Sequence, residues 1–280
     1  MPAVQIMHVW NNRRRRRRTI APVSHEKNAV HIAAFGKFFG EVTLDEVTPG
    51  ALDAWIDYGL GHLTPNSVIR YTTTIRSAWA WAVKEELAGR DPWIHVEPPK
   101  ETKSRPRWIS DELASRLVQA AGPRPRVMIL LGLHCGLRIS ETAGLHRTDW
   151  LSDERLLLVT GKGQKDRTLP VPPECADALD EWTAGMRPYG PMWPPARGAR
   201  TNIRSGHAGA CVVAVSHTIG CHVTPHQLRH TFAIRHVLAG TPLPVLQALL
   251  GHESLATTQI YADAAGLDLG RWTIDQRYLT

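Results

Sequence analysis

Apolar residues recur at helical spacing through most of the first hundred residues of the chain. Ser24 stands where the first of these series begins, and the pairs Thr48-Pro49 and Thr64-Pro65 stand before two more. A hydroxyl at such a point caps the first turn of a helix, and proline is tolerated at the first helical position because its missing N–H has no partner there. We therefore expect a small all-helical domain over residues 24–96.

A second domain is expected over residues 108–280, after a proline- and charge-rich segment at 97–107 that is typical of an exposed linker. Its one β signal is a pair of short apolar series on either side of residues 161–166, a glycine-containing turn that predicts a hairpin. The predicted helices cover residues 111–121, 127–133, 173–186, 199–219, 225–239, 243–250 and 254–262. The fold class is thus mainly α with a small β-hairpin or sheet, in two domains.

The net charge of +7 is concentrated near the N-terminus, because Arg13 to Arg18 supply six positive charges and leave only +1 for the rest of the chain. Six adjacent like charges repel one another, so residues 1–23 are predicted to form a disordered basic arm. Between Glu181 and Glu253 there is no acidic residue, whereas six arginines fall there. This stretch is expected to face an anion, unless acidic partners reach it from elsewhere in the fold.

Composition excludes several classes of protein. There is no run of eighteen apolar residues to span a membrane and no cleavable signal peptide, so we expect a cytosolic protein. The cysteines lack the paired spacing of a zinc ribbon and the framework of a disulfide-rich domain: Cys135, Cys175, Cys211 and Cys221. We expect reduced thiols, and neither a metal nor a cofactor.

Two segments place cations and an imidazole at helix ends. Arg138 directly follows a predicted buried helix, and His226 and Arg229 lie three positions apart at the start of another, which puts both on one helical face. A guanidinium offers forked donors that match phosphate oxygens, so two converging arginines can hold both non-bridging oxygens of one phosphodiester. Taken in isolation, Arg138 and Glu141 could equally form a structural ion pair.

Four segments together resemble the tyrosine recombinases, the phage integrase family. They are Gly-Leu-Arg-Ile-Ser-Glu at 136–141, Gly-Lys-Gly at 161–163, His-Gln-Leu-Arg-His-Thr-Phe at 226–232, and Leu-Gly-His at 250–252 followed by Tyr261. Lys162 follows Arg138 by 24 positions and Tyr261 follows His252 by 9, as the family pattern requires. The resemblance covers residues 24–262. It implies a C-shaped clamp of a helical core-DNA-binding domain and a catalytic domain, in a short form without an arm-site-binding domain.

The resemblance also implies the chemistry, which is a site-specific cutting and rejoining of DNA strands by transesterification. Tyr261 would attack the scissile phosphorus, form a 3′-phosphotyrosyl bond and release a 5′-hydroxyl, without a metal or a nucleotide. Lys162 would protonate the leaving oxygen, and Glu141 would orient the cluster. Two arginines and two histidines would stabilise the developing negative charge: Arg138, Arg229, His226 and His252.

Alternatives remain for some of these positions. Lys165 lies in the same turn as Lys162, and Tyr278 is a second candidate nucleophile. A zinc site is a further alternative for a group of neighbouring side chains, although their spacing argues against it: Cys221, His222, His226, His230 and His236.

The partners implied by the resemblance are a double-stranded DNA core site and further copies of the chain. We expect four protomers on two synapsed sites, weak or no association without DNA, and an accessory directionality factor. The reaction would integrate or excise a phage or another mobile element, in the nucleoid of a bacterial cytoplasm. The alternative functions are a type IB topoisomerase-like relaxing enzyme and a catalytically silent DNA-binding repressor.

Overall fold

The computed structural model describes residues 1–102, 106–161, 166–194 and 203–266 of the 280-residue chain. The chain divides into two compact units, Met1–Ser104 and Arg105–Thr280, and the division falls within the predicted linker at 97–107. Helices dominate both units and one small sheet is present, so the predicted mainly α fold class is confirmed. No helix in the described ranges is long and apolar enough to cross a membrane.

The described part of the first unit contains four α-helices and two short 3-10 helices. The α-helices are α1 (Ala3–Arg16), α2 (Pro22–Phe39), α3 (Pro49–Leu60) and α4 (Pro65–Lys84), and the 3-10 helices are Leu44–Glu46 and Pro92–His95. The hydroxyls of Thr48 and Thr64 each accept a hydrogen bond from the backbone N–H three residues on, at 3.2 and 3.3 Å. These caps explain why α3 and α4 begin where the sequence predicts.

Edge-to-face aromatic contacts hold the core of the first unit. Phe35 of α2 meets Trp55 of α3 and Trp79 of α4 at ring-centroid distances of 5.4 and 6.3 Å. Trp93 contacts Trp55 and Trp79 at 6.4 and 6.5 Å. Such pairs contribute roughly 0.5–1.5 kcal/mol each beyond the burial of their area. Ring packing therefore fixes α2, α3 and α4 to one another.

The N-terminal segment predicted to be disordered is a helix that packs into this core. α1 buries one face, made of residues three or four positions apart: Ala3, Ile6, Met7 and Trp10. Arginines fill its last turn, where the helix dipole favours positive charge, and Arg13 pairs with Glu85 at 2.8 Å. The predicted disordered arm over residues 1–23 is therefore wrong, because the buried face offsets the repulsion within the run. A helical domain that begins at residue 24 is also wrong, since α1 precedes it and α2 begins at Pro22.

The described part of the second unit contains eight α-helices and a three-stranded sheet. The helices are α5 (Asp111–Ala120), α6 (Pro123–His134), α7 (Ile139–Gly144), α8 (Pro173–Thr183), α9 (Ser205–Thr218), α10 (Pro225–Leu238), α11 (Leu243–Leu250) and α12 (Leu255–Ala264). The strands are β1 (Trp150–Leu151), β2 (Leu156–Thr160) and β3 (Asp166–Pro170). All residues from Val127 to Leu133 are buried, so α6 forms the core against which α8, α9 and α10 pack.

The predicted hairpin is present as β2 and β3, which pair antiparallel with Val159 opposite Arg167. β1 adds a third strand on the other side of β2, with Trp150 opposite Leu157. At two residues, β1 is too short to show an alternating pattern, which is why the sequence did not predict it. The hairpin turn with Lys162 and Lys165, and residues 199–202 of a predicted helix, lie outside the described residues.

Candidate active site

The turn between α6 and α7 places Arg138 at the start of a helix. Gly136 in this turn has a backbone φ of +62°, and a Cβ there would lie 2.5 Å from the ring carbon Cδ1 of Phe232 in α10. Glycine is therefore required both by the conformation and by the close approach of α10. Arg138 becomes the N-cap of α7, and its backbone N–H donates to the Glu141 carboxylate at 2.8 Å.

Glu141 is a buried carboxylate surrounded by three arginines. Nη1 of Arg138 donates to it at 2.9 Å, and Arg167 of β3 donates from Nη1 and Nη2 at 3.0 and 2.9 Å, one bond to each oxygen. Nη1 of Arg229 in α10 lies 3.8 Å from its Oε2. The side chain of Glu141 is only 4% exposed, so guanidinium groups rather than water stabilise its charge.

The same three arginines donate to backbone carbonyls at the end of α11. The Leu250 carbonyl accepts from Nη2 of Arg229 at 2.8 Å and from Nη1 of Arg138 at 3.3 Å. The Leu249 carbonyl accepts from Nε of Arg167 at 3.1 Å. Because the helix dipole makes this end partly negative, it helps to hold three like charges close together.

Burial and neighbouring charges shift the pKa values in this cluster. Burial raises the pKa of Glu141, but hydrogen bonds and charge from Arg167, and then from Arg138, outweigh burial and leave that pKa below its ordinary value. Burial, followed by the charge of Arg138, lowers the pKa of Arg229 to about 10, so this guanidinium stays charged at neutral pH. The cluster is one carboxylate among three cations, which leaves positive charge available for an anion.

Tyr261 of α12 is buried beside two histidines. It is 2% exposed, its hydroxyl lies 3.0 Å from Nδ1 of His230 in α10, and its ring centroid lies 6.3 Å from that of His252, with the rings 8° from parallel. Burial raises the pKa of Tyr261, although the charges of Arg229 and Arg138 oppose this shift. The phenol is therefore protonated at neutral pH and held away from solvent.

The histidines around Tyr261 are neutral at pH 7. Burial, helped by nearby arginines, lowers the pKa of His252 to about 4, and burial, helped by His226, lowers that of His230 to about 4. Nδ1 of His252 lies 2.9 Å from the hydroxyl of the buried Thr258, which orients its ring. His226 is exposed on α10, with its ring 4.2 Å from that of His230, and partial desolvation lowers its pKa too.

An open cavity of about 770 Å³ lies over the arginine cluster. Its lining includes Arg138, Glu141, Arg167 and His252, and also Gly161 at the edge of the hairpin turn. Cavities of this size accept small molecules of several rings, so a phosphodiester with its flanking sugars fits. The arrangement can therefore bind an anion from solvent through the exposed edge of the cluster.

Most of the second unit matches a known protein family. The sequence model described as the phage integrase family matches residues 107–266. Tyrosine recombinase XerC of Mycobacterium bovis (strain BCG / Pasteur 1173P2) is 32% identical over an alignment of 241 residues, with 80% of this chain and 81% of the relative covered. The chain belongs to the phage integrase family. It is a tyrosine recombinase, an enzyme that cuts and rejoins DNA strands.

The recombinase also has the fold of solved integrases. A lambda integrase dimer bound to a COC′ core site matches it with a TM-score of 0.76 at 17% identity, over 92% of this chain and 97% of that chain. The Tn1549 transposon integrase in complex with a circular intermediate DNA matches it with a TM-score of 0.75 at 18% identity, over 97% and 99% of the two chains. At such identities the likeness shows the fold alone.

The structure brings together six of the seven residues that the family resemblance assigns to the recombinase site. They are Arg138, Glu141, His226, Arg229, His252 and Tyr261. The seventh, Lys162, lies outside the described residues. The catalytic roles of all seven stay predictions.

Sequence reasoning missed two members of the cluster, Arg167 and His230. His230 directly follows Arg229, and the sequence indicates it only as a candidate zinc ligand. Arg167 is the first basic residue after the hairpin turn, yet no local sequence pattern indicates that its side chain contacts Glu141. The structure gives no support to a zinc site, since no group of three or more His, Cys, Asp or Glu in the described part of the chain could hold a metal.

Proposed function

We propose that this cluster is the strand-cleavage site of a site-specific recombinase whose substrate is a double-stranded DNA core site. The observation that carries the proposal is the Leu250 carbonyl, which accepts hydrogen bonds from both Arg138 and Arg229. This carbonyl holds two guanidinium groups side by side, and the two non-bridging oxygens of a phosphodiester match two such forks. The DNA-bound lambda and Tn1549 integrases support DNA as the partner.

The reaction is a transesterification at one phosphate. The bond from phosphorus to the 5′ oxygen breaks as a bond from phosphorus to the Tyr261 oxygen forms, which leaves a 3′-phosphotyrosyl link and a free 5′-hydroxyl. Tyr261 releases its proton to solvent as its oxygen bonds to phosphorus, and Lys162 supplies a proton to the 5′ oxygen. One phosphate ester bond replaces another, so a 5′-hydroxyl from another strand can attack the phosphotyrosyl link, release Tyr261 and rejoin the DNA.

Arg138 is the arginine best placed to meet the phosphate first. Its side chain is 35% exposed, and its bonds to the carbonyls of Leu250 and Gly251 are long, at 3.3 and 3.2 Å. A phosphate oxygen can replace these contacts while the bond to Glu141 keeps the guanidinium in place. Arg229 is 1% exposed and therefore contributes charge across the site. Removing one such donor typically slows an enzyme by about a hundredfold or more.

Tyr261 has to leave its buried position before it attacks. Its helix is suited to such a movement, because α12 buries only Thr258, Tyr261 and Ala262. Helices with few buried contacts open at a small cost in free energy compared with core helices. We therefore expect DNA binding to provide the free energy that brings Tyr261 out, which couples cleavage to the presence of substrate.

Nicked suicide duplexes test the nucleophile. A set of duplexes covers the DNA on either side of the coding gene, and the position of a single nick differs by one nucleotide from each duplex to the next. Where cleavage lies close to the nick, the short leaving strand diffuses away. Rejoining is then prevented, and the covalent adduct accumulates. The wild type is expected to form a 3′-phosphate adduct that mass spectrometry maps to Tyr261. Tyr261→Phe should bind DNA without an adduct, and the control Tyr278→Phe should keep it. An adduct with Tyr261→Phe, or its loss in Tyr278→Phe, refutes the assignment.

We propose further that the enzyme integrates or excises a phage or another mobile element in the bacterial cytoplasm, with four protomers on two synapsed sites and an accessory directionality factor. The lambda and Tn1549 integrases and the bacterial XerC relatives support this role.

A plasmid with two copies of the selected site should yield recombinants. Relaxed plasmid alone would favour a topoisomerase-like enzyme, and binding without an adduct would favour a silent repressor. A lone protomer on a fully active complex in light scattering would refute the tetramer. The C-shaped clamp stays a prediction.

A further inference from the structure

Arg167 joins the base of the β2–β3 hairpin to the arginine cluster. It is the second residue of β3 and lies opposite Val159, so it stands just after the turn that contains Lys162. Its side chain is 13% exposed. Its hydrogen bonds run to α7 and to the end of α11, which are distant from it in sequence.

Each of the three nitrogens in the Arg167 guanidinium has a partner. Nη1 and Nη2 donate to the two oxygens of Glu141 at 3.0 and 2.9 Å, and Nε donates to the Leu249 carbonyl at 3.1 Å. Arginine can make such a planar fork, whereas the single ammonium of lysine cannot. Because the third bond fixes the guanidinium on α11, the fork also fixes the orientation of the carboxylate.

Gly251 leaves the space that Arg167 occupies. It is the C-cap of α11 with a φ of +60°, and a Cβ there would lie 2.8 Å from Nη1 and 3.1 Å from Cζ of Arg167. Both the backbone conformation and the guanidinium therefore favour glycine at this position. Arg167 is consequently packed between Glu141 and α11, with little freedom to take another rotamer.

We propose that Arg167 is a positioning residue for strand cleavage that acts through Glu141 on Arg138, an inference that rests on the proposed function of the site. The two oxygens that Arg167 holds are the same two that accept from the backbone N–H and Nη1 of Arg138. Without the fork only the two bonds from Arg138 hold the carboxylate, so Glu141 and the Arg138 guanidinium can shift together. The exposed edge of Arg138 then no longer faces the phosphate.

The test is the single-turnover rate of adduct formation on the nicked duplex selected with the wild type. Arg167→Gln should slow this rate about 10- to 100-fold, the range expected when a reacting group is displaced by up to about 1 Å, with little change in DNA affinity. Arg167→Lys keeps the charge without the fork and should be slowed to a similar extent. The matched control is Arg147→Gln, because Arg147 is partly buried in the same unit and donates to the Trp150 carbonyl at 3.2 Å, outside the cluster. It should keep the wild-type rate.

Two comparisons separate positioning from other roles. In a Glu141→Gln background, Arg167→Gln should add little further slowing, because the effect of Arg167 passes through Glu141. On a duplex with sulfur in place of the 5′-bridging oxygen, the leaving thiolate needs no proton. That substrate should restore the rate of adduct formation in Lys162→Ala but not in Arg167→Gln, since Arg167 takes no part in proton transfer.

Full additivity with Glu141→Gln, rescue of Arg167→Gln by the sulfur substrate, or equal slowing by Arg147→Gln would each overturn the proposal. If Arg167→Gln does not fold, Arg167→Lys provides the same comparisons. Failure of the wild type to form any adduct would instead refute the proposed function of the site, so the two failures are distinguishable.

Discussion

The change Glu141→Gln should destabilise the second unit by about 3 kcal/mol. The carboxylate accepts four hydrogen bonds of 2.8 to 3.0 Å, two from Arg138 and two from Arg167. An amide keeps one oxygen and turns its NH₂ group towards a guanidinium, so at least two of these bonds are lost. Removing one partner of a buried ion pair costs about 3–5 kcal/mol. We expect the lower end of this range because Arg138 is 35% exposed and water partly solvates its charge.

The assay is urea unfolding of the full chain. Hydrogen exchange of peptides from α7 and α11 then reports the stability of the second unit separately, because two units do not have to unfold in one step. The matched control is Glu174→Gln. The Glu174 carboxylate is 56% exposed and lies 3.5 Å from His134 in the same unit. A change at such a surface position should alter the free energy of unfolding by less than about 0.5 kcal/mol. A loss below about 1 kcal/mol for Glu141→Gln at pH 7 would refute the reasoning from a buried, paired charge.

The effect of pH on this difference has a definite sign. The pKa of Glu141 in the folded protein lies below its ordinary value of 4.5, so its stabilisation is fully present above that value and is lost as the pH falls through the folded pKa. The difference in free energy of unfolding between the wild type and Glu141→Gln should therefore be equal at pH 7 and pH 6, and should shrink below pH 4.5. A difference that already shrinks between pH 7 and pH 6 would assign the effect to another group.

Three further predictions concern the first unit and the chemistry. Trp10→Ala should destabilise the first unit by about 3–5 kcal/mol in urea unfolding, whereas Ile94→Ala, at a side chain 71% exposed in the same unit, should have little effect; equal effects would contradict the packing of α1. Replacing the exposed Arg15, Arg16, Arg17 and Arg18 by glutamine should weaken binding to cognate and random DNA by similar factors and flatten the slope of log affinity against log salt by about 0.9 for each lost phosphate contact. Loss of affinity for cognate DNA alone would show that the run selects sequence. Strand exchange should proceed in EDTA without a nucleotide, and loss of activity that zinc or magnesium restores would contradict a metal-free mechanism.

Helix starts and the hairpin could be predicted from the sequence because their causes are local. Ser110 and Thr224 each accept a hydrogen bond from the backbone N–H three residues on, as Thr48 and Thr64 do in the first unit. A cap depends on one side chain and one turn, so the residue type alone is informative. The same holds for Gly136, whose positive φ ends α6 and aims Arg138.

The N-terminal helix was missed although its signal is present in the sequence. Ala3, Ile6, Met7 and Trp10 have the spacing of a buried helical face, but the six arginines that follow suggested repulsion and disorder. In the structure the first four of these arginines form the last turn of α1. Arg13 pairs with Glu85 there and lies over the ring of Trp81 at 5.7 Å. A deletion of residues 1–18 would remove this buried face, which is why substitution is the better test of the arginines.

The contacts of Arg167 and His230 could not be predicted from the sequence because they join distant positions. Arg167 is 26 positions from Glu141 and 82 from Leu249, and His230 is 31 from Tyr261. A local sequence pattern cannot indicate contacts between positions so far apart in the chain, because these contacts depend on how α10, α11 and β3 pack around the core. The burial of Tyr261 is likewise a tertiary property, since its sequence spacing from His252 only indicates the same region.

The charge balance of the cluster explains why a phosphodiester and its transition state suit this site. Three guanidinium groups around one carboxylate leave two positive charges, held together by the carbonyls at the end of α11. A second buried carboxylate would halve this excess, and without Glu141 the arginines would repel one another. A phosphodiester carries one negative charge, so it leaves one positive charge unbalanced. Attack by the Tyr261 oxygen adds up to one further negative charge to the phosphorane, which the site then balances. The electrostatic match therefore improves from substrate to transition state, which is the condition for catalysis.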